Sequence, residues 1–332
     1  MSFDDKKVDR YGWYQTEDHP KTPEEQRIEQ EESRVEHLRE VKWQEMVSNW
    51  NFWIDEKRDK LASRIKKGIP DSYRSKVWDL LTNADLSLKS SPETIEQLLK
   101  KDPNPVYDII KADLNRTFPQ IAFFSKPNFL NCLEHVLCAY SQIDTDLGYT
   151  QGMGFIAGTF LMYMDEDLSL WALHGVMNGF RTMHRDFFAP PFPRLQLASK
   201  MLNEVLKTKY PKILANIENL GISFDVFAPK WFMSAFLCYS WTPEMHLRIF
   251  DRFLFYGTRS LLSFALVIFS RHKDVLETMP LEELIPLLQK PDLSPKMKDW
   301  RYLMQKWDKL WINKKTYQQL LKKAGAPPER LE

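Results

Sequence analysis

The amino-acid sequence predicts an all-α fold, and three observations point there. Glycine is scarce, at 11 of 332 residues, about half the usual ~7%, whereas turn-rich β folds use more. Apolar residues recur at spacings of three and four along most of the chain, which is the period of one helix face. Alternating strand pairs, hairpin dipeptides and fixed-period repeats are absent from the sequence.

The length and 43% hydrophobic content suit one large domain or two ordinary ones with a sizeable core. The helical pattern from about residue 41 to the end favours a single large multi-helix domain over 41–332. Residues 1–40 read as a charged extension, partly disordered or a solvated helix, because "TPEEQRIEQEESRVEHLREVK" is rich in charge and poor in aromatics. "DRYGWY" at 9–14 is the exception. Two tyrosines and a tryptophan in a polar tail suggest a segment that docks back on the body.

From Val41, Trp43, Met46, Trp50, Trp53 and Ile54 fall at helical spacing, and the "GIP" at 68–70 ends that helix. "PDSYRSKVWDLL" starts the next. In "SSPETIEQLL", Ser91 is the expected N-cap, with Pro92 at the first helical position. "KPNFLNCLEHVLCAYSQI" sets Phe129, Leu133, Val136, Leu137 and Tyr140 on one face.

Later segments continue the style. Single helices are expected over "LSLWALHGVMNGF", "LQLASKMLNEVLKTKYPKILANI", "KWFMSAFLCYS", "EMHLRIFDRFLFYG", "RSLLSFALVIFSRHKDVL" and "LEELIPLLQKP". The last helical stretch, 295–325, puts Trp300, Leu303, Trp307 and Trp311 on one side, with Lys306, Lys309, Lys314 and Lys315 among them. A basic amphipathic helix can lie on a membrane. An aromatic stripe at this spacing more often covers a helical body, and that reading is preferred.

Composition excludes several classes. A net charge of +1 projects no strong field towards nucleic acid. Cys132, Cys138 and Cys238 have neither disulfide-framework nor zinc-ligand spacing. They read as buried thiols in a reducing compartment. The first twenty residues hold no apolar run, and Gly152–Met164 is too short for the ~20 residues of a membrane span. A cytoplasmic protein is expected. No heptad seam appears, so a monomer is expected too.

Several motifs fail on inspection. "HRD" at 184–186 lacks the asparagine that a kinase loop needs five residues on, where Pro191 stands. Gly152, Gly154 and Gly158 miss the dinucleotide fingerprint by one residue, and no strand precedes them. There is no phosphate-binding G-x-x-x-x-G-K-[ST], no H-E-x-x-H and no G-x-S-x-G. The chain has no evident chemistry of its own on a small molecule.

Two short stretches carry more. In "IIKADLNRTFP", Asp113 and Arg116 are three apart and can pair. Thr117 and Phe118 then lead into Pro119, which closes the helix because the residue before proline avoids helical angles. In "GYTQGMG", Gly148 and Gly152 flank Tyr149, Thr150 and Gln151 ahead of an apolar helix. Glycine permits a tight turn or close approach there, so a glutamine would be presented at a fixed place. Alone, the first is an ordinary surface pair and the second a loop residue. Together they supply an arginine and a glutamine, the groups that GTP hydrolysis needs to neutralise charge on the phosphoryl group and to orient water.

At this point the sequence resembles the TBC family of GTPase-activating proteins for Rab GTPases. "KKGIPDSYRSKVWDLL" (66–81) resembles the opening G-I-P…R…W block. Ile110 to Arg116 matches I-x-x-D-x-x-R, and "GYTQGM" matches Y-x-Q-G-M. "APKWFMSAF" (228–236) and "LRIFDRFLFYG" (247–257) resemble the later W-F and R-[IVL]-[WF]-D…G blocks. The blocks come in family order over about residues 64–280, with C-terminal helices at 281–325. Phe250 stands where tryptophan is common and Lys67 where arginine is common. "DRYGWY" and "GYTQGMGFIAGTFLMYM" are most similar to the RN-tre-like branch.

The resemblance implies an all-helical fold and stimulation of a Rab's GTP hydrolysis in trans, within vesicle trafficking. Arg116 would be the arginine finger and Gln151 the glutamine finger. Asp113 would hold Arg116, and Tyr149 would shape the glutamine turn. Thr117, Gly152 and Arg74 would support them, Arg74 mainly through packing and a salt bridge. No cofactor of its own is implied, since the GTP-bound Rab holds GTP and Mg²⁺. Nucleic acid is not an expected partner. Peripheral recruitment to endomembranes is an accessory expectation, and the competing reading is a catalytically silent Rab-binding effector or scaffold.

Overall fold

The computed structural model describes residues 8–14, 22–102 and 105–330, without the side chains of Glu25, Glu29 and Glu32. Among the described residues there are twenty α-helices, several short 3-10 turns, two isolated β-bridges and no strand. The chain divides after Gly175 into two compact units.

The first unit holds α1 (Pro23–Ser48), α2 (Trp50–Asp55), α3 (Arg58–Lys67), α4 (Asp71–Thr82), α5 (Ala84–Ser90), α6 (Ile95–Leu99), α7 (Tyr107–Leu114), α8 (Pro127–Ile143), α9 (Met153–Leu161) and most of α10 (Glu166–Asn178). Helix α8 is its axis. Leu133, Val136, Leu137 and Tyr140 are buried as their spacing predicts, and α6, α7 and α9 pack around them.

Three expectations need correction here. The helix placed from Val41 starts at Pro23, so 23–40 of the charged extension are helical; residues 1–7 and 15–21 of that extension lie outside the described residues. The single helix expected up to "GIP" is three, broken at Asn49 and around Lys57, where no glycine or proline gives warning. The N-cap of α6 is Thr94, not Ser91. Thr94 and Gln97 form a reciprocal capping box, which satisfies two end-of-helix groups at once. Ser91 bonds locally to the Glu93 backbone instead.

The "DRYGWY" segment does dock. Trp13 bridges Ile121 and is buried. The Tyr14 N–H donates to the Gln120 carbonyl at 3.0 Å and the Ala122 N–H donates to the Gly12 carbonyl at 2.8 Å.

The second unit holds α11 (Arg185–Phe188), α12 (Pro193–Lys209), α13 (Pro211–Asn219), α14 (Ala228–Met233), α15 (Pro243–Tyr256), α16 (Thr258–Arg271), α17 (Lys273–Leu276), α18 (Leu281–Gln289), α19 (Trp300–Leu310) and α20 (Lys314–Lys323). Helix α16 is buried from Leu261 to Phe269 and packs on α12, α14, α15 and α19. Here too, long expected helices are divided. Pro211 separates α12 from α13, and α14 stops before Ala235 and Phe236, whose φ angles are positive. His184 of the rejected "HRD" is a core group, fully buried, with its Nε2 hydrogen given to the Met233 carbonyl at 2.8 Å.

Trp307 and Trp311 follow the packing reading, while Trp300 is only half-buried. Trp307 is fully buried, 4.9 Å from Phe264, and stacks under the Arg252 guanidinium at 4.4 Å. Trp311 lies 4.6 Å from Tyr256. The stretch is two helices, because α19 ends at Leu310 and Asn313 caps α20.

Candidate functional site

The site is built on the first unit alone. Helix α7 ends at Leu114, and its last carbonyls need new donors. The Asp113 carbonyl receives the Arg116 N–H and the Thr117 hydroxyl, both at 3.0 Å. This tight turn brings the Arg116 side chain back over α7, where its guanidinium pairs with Asp113 Oδ1. The pairing expected from the three-residue spacing therefore forms, although Arg116 itself lies just past the helix.

Phe118 closes the turn. Its φ is +53°, a left-handed value that a bulky residue adopts only when its surroundings dictate it. Pro119 disfavours the helical alternative. The surroundings are aromatic: the Phe118 ring lies 5.2 Å from Phe124 and 5.3 Å from Phe155.

The second stretch meets the first across this layer. Gly152 caps the start of α9 with a φ of +113°, a conformation that other residues rarely tolerate. Gln151 precedes it and is exposed. Tyr149 turns inward, is 6% exposed, and donates its hydroxyl to Asp113 Oδ2 at 2.9 Å. Both carboxylate oxygens of the buried Asp113 are thus occupied, one by Arg116 and one by Tyr149.

Burial raises the Tyr149 phenol well above its ordinary value, and the adjacent Asp113 charge adds to that. The phenol therefore stays protonated and stays a donor. Arg116 differs from its anchors: its side chain is 64% exposed while that of Asp113 is 8%.

Small residues let the layer close. A Cβ on Gly154 would stand 3.2 Å from the Thr117 hydroxyl, and one on Gly158 would stand 3.0 Å from the Phe118 and Phe124 rings. Only a residue without a Cβ fits this closely at either position.

The result is a small cleft lined by Arg116, Gln151, Asp113, Tyr149, Thr117 and Gly152, with Gly154 and Phe155. Six of the seven sequence-predicted site residues meet there. Arg74 does not. It is buried in α4, paired with Asp71, and bonded to the Tyr163 hydroxyl at 3.2 Å; Tyr163 lies 5.0 Å from Trp78. Its part is structural, as the salt-bridge expectation has it. Phe155, in the first turn of α9, also lines the cleft, and nothing in its sequence position singles it out. Among the described residues, no group of three or more metal-ligating side chains is found, and no helix is long and apolar enough to cross a membrane.

A charged donor held from beneath and an exposed amide lining the same cleft can present a cation and a water-orienting group to a ligand carried by another molecule.

Comparison with known proteins bears on this arrangement. A family model described as the Rab-GTPase-TBC domain matches residues 71–277. The chain is 30% identical to the Growth hormone-regulated TBC protein 1 of Homo sapiens, over 72% of this chain and 70% of that one. It is also 30% identical to the TBC1 domain family member whacked of Drosophila melanogaster, over 85% and 77%. Among solved structures, the Ypt/Rab-GAP domain of Gyp1p superposes with a TM-score of 0.64 at 18% identity, over 80% of this chain and 96% of that one. The Chlamydomonas flagellar RabGAP TBC domain superposes with a TM-score of 0.62 at 20% identity, over 90% and 99%. These superpositions establish the fold.

Proposed function

The chain belongs to the Rab-GTPase-TBC domain family, and from that premise we propose that it stimulates GTP hydrolysis by a Rab-family GTPase through Arg116 and Gln151. The observation that carries the proposal is the contrast within the cleft. Arg116 and Gln151 are exposed on its rim, while Asp113 and Tyr149 are buried beneath.

In this reading the protein engages the GTP-bound Rab, which holds GTP and Mg²⁺. Asp113 takes one edge of the Arg116 guanidinium and leaves the rest of its donor fork for phosphate oxygens. Charge grows on the transferred phosphoryl group as it leaves, and Arg116 neutralises it. Gln151, set by the Gly152 turn, orients the attacking water. A trans arginine is worth about 10³–10⁵ in rate, or roughly 4–7 kcal/mol. The protein acts as a monomer in the cytoplasm and reaches its Rab at endomembranes.

The test is hydrolysis by a panel of GTP-loaded Rabs with wild type, Arg116→Ala and Gln151→Ala. Acceleration of one or a few Rabs, lost in both variants, supports the proposal. No acceleration by wild type, with GTP-dependent binding intact, transfers support to the effector or scaffold reading.

A further inference from the structure

We infer that residues 8–14 are a strap that positions Arg116, with Trp13 and Gly12 as its positioning residues; this rests on the reading of Arg116 as a finger.

The strap is a short hairpin. Its ends bridge at Val8 and Tyr14. Asp9 Oδ1 accepts the Tyr11 and Trp13 N–H groups at 2.8 and 3.0 Å, and the Gly12 N–H closes the turn on the Asp9 carbonyl at 3.0 Å. Aspartate first and glycine fourth are the residues such a turn favours. Gly12 has a φ of +82°, and a Cβ there would stand 2.5 Å from the Phe123 ring. Arg10 ties the turn to Glu36 of α1 at 3.3 Å.

What the strap grips is the irregular chain that follows Arg116. Backbone bonds run from Tyr14 to Gln120 and from Ala122 to Gly12. The Tyr14 and Ser125 hydroxyls share a bond at 2.7 Å. Ile121, bridged by Trp13, donates its N–H to the Phe118 carbonyl at 3.0 Å. Phe118 holds the strained angle that ends the Arg116 turn.

Residues 115–121 belong to no helix of their own, and ordering such a segment costs about 1–2 kcal/mol per residue. The strap supplies that order from outside, two residues from where Arg116's turn closes. Two of its bonds go to loop backbone, so it fixes the loop's path as well as burying Trp13.

The experiment uses the full chain and the Rab that wild type accelerates. Trp13→Ala should lower kcat of stimulated hydrolysis by about tenfold or more, because misplacing a reacting group by about 1 Å can cost about 100-fold. KM for the GTP-loaded Rab should stay within about twofold, since a finger acts in the transition state. Gly12→Val should reproduce the effect, and Trp13→Phe should restore most of the rate. Unchanged kcat, or a rise in KM alone, overturns the inference.

Hydrogen exchange provides a readout that needs no GTPase. In Trp13→Ala, amides of 113–122 should exchange faster while those of α16 do not change. Equal acceleration throughout would make the segment a general stabiliser and overturn the strap. If wild type accelerates no Rab, the functional reading fails while exchange still decides whether the strap holds the turn.

Discussion

The Tyr149 hydroxyl lies 2.9 Å from Asp113 Oδ2, and this one bond joins the turn that presents Gln151 to the helix end that presents Arg116. The donor is locked in its neutral form by burial and by the carboxylate it serves. Tyr149→Phe would leave a buried carboxylate oxygen without its donor, at a cost of about 1.5–3 kcal/mol for a bond to a charged group. Urea denaturation should show a loss in that range. Stimulated hydrolysis should fall in kcat with KM preserved.

Arg116→Ala should abolish most of the stimulation, by about 10³-fold or more, and leave the fold intact with a lower urea midpoint, because the buried Asp113 loses a charged partner, at a cost of about 1.5–3 kcal/mol at most, while the largely exposed Arg116 position lets water replace part of that bond. Arg116→Lys should also be poor, since an ammonium lacks the planar fork. Near-full activity of the lysine variant in a single-turnover assay would remove Arg116 from the role.

Acid should weaken the second unit through two histidines. Burial holds His184 neutral down to about 4 and His246 down to about 3, whereas an unfolded histidine titrates near about 6.5. Between these values the unfolded chain takes up protons that the folded chain refuses. Their stabilising contribution is therefore complete above pH ~6.5 and declines as the pH falls, by up to about 1.4 kcal/mol per pH unit for each group. Urea midpoints measured from pH 7 to pH 5 should drop, and His246→Phe should flatten the slope.

Gly175→Ala tests packing away from the cleft. A Cβ at this position would stand 2.2 Å from the backbone oxygen of Thr82, so α4 and α10 must separate. Overpacking of this kind costs about 1–3 kcal/mol. Thermal melting should fall accordingly, while a Gly221→Ala control, with nothing within 4 Å of its Cβ but a φ of +65°, reports backbone strain alone.

The site was more legible in the sequence than the helix boundaries were. Asp113 and Arg116 are three apart, and Gly148 and Gly152 bracket Gln151, so local spacing shows the geometry of each half, while only the resemblance joins the halves into a site. The Tyr149–Asp113 bond spans 36 residues and has no local signature; the resemblance implies a role for each residue but not the bond between them. Helix breaks at Asn49 and Lys57 carry no sequence signal, because neither a glycine nor a proline stands there. Pro92 points to Ser91 as the cap, while the decisive feature is Gln97, three residues beyond Thr94. Trp13 announced docking by its chemistry but not its target, since aromatic character carries no address.

Phe118 sits two residues from Arg116 and rests its ring on Phe155, in the helix that opens beside Gln151. The separation between the two exposed groups is therefore a shared dimension, like the gap of a caliper whose jaws are machined from one piece. A change in this ring would move both jaws together and appear in kinetics as a single defect. Substitutions around the outside of the cleft leave the gap alone. The span of the cleft is thus inherited as one unit rather than as two separate parts.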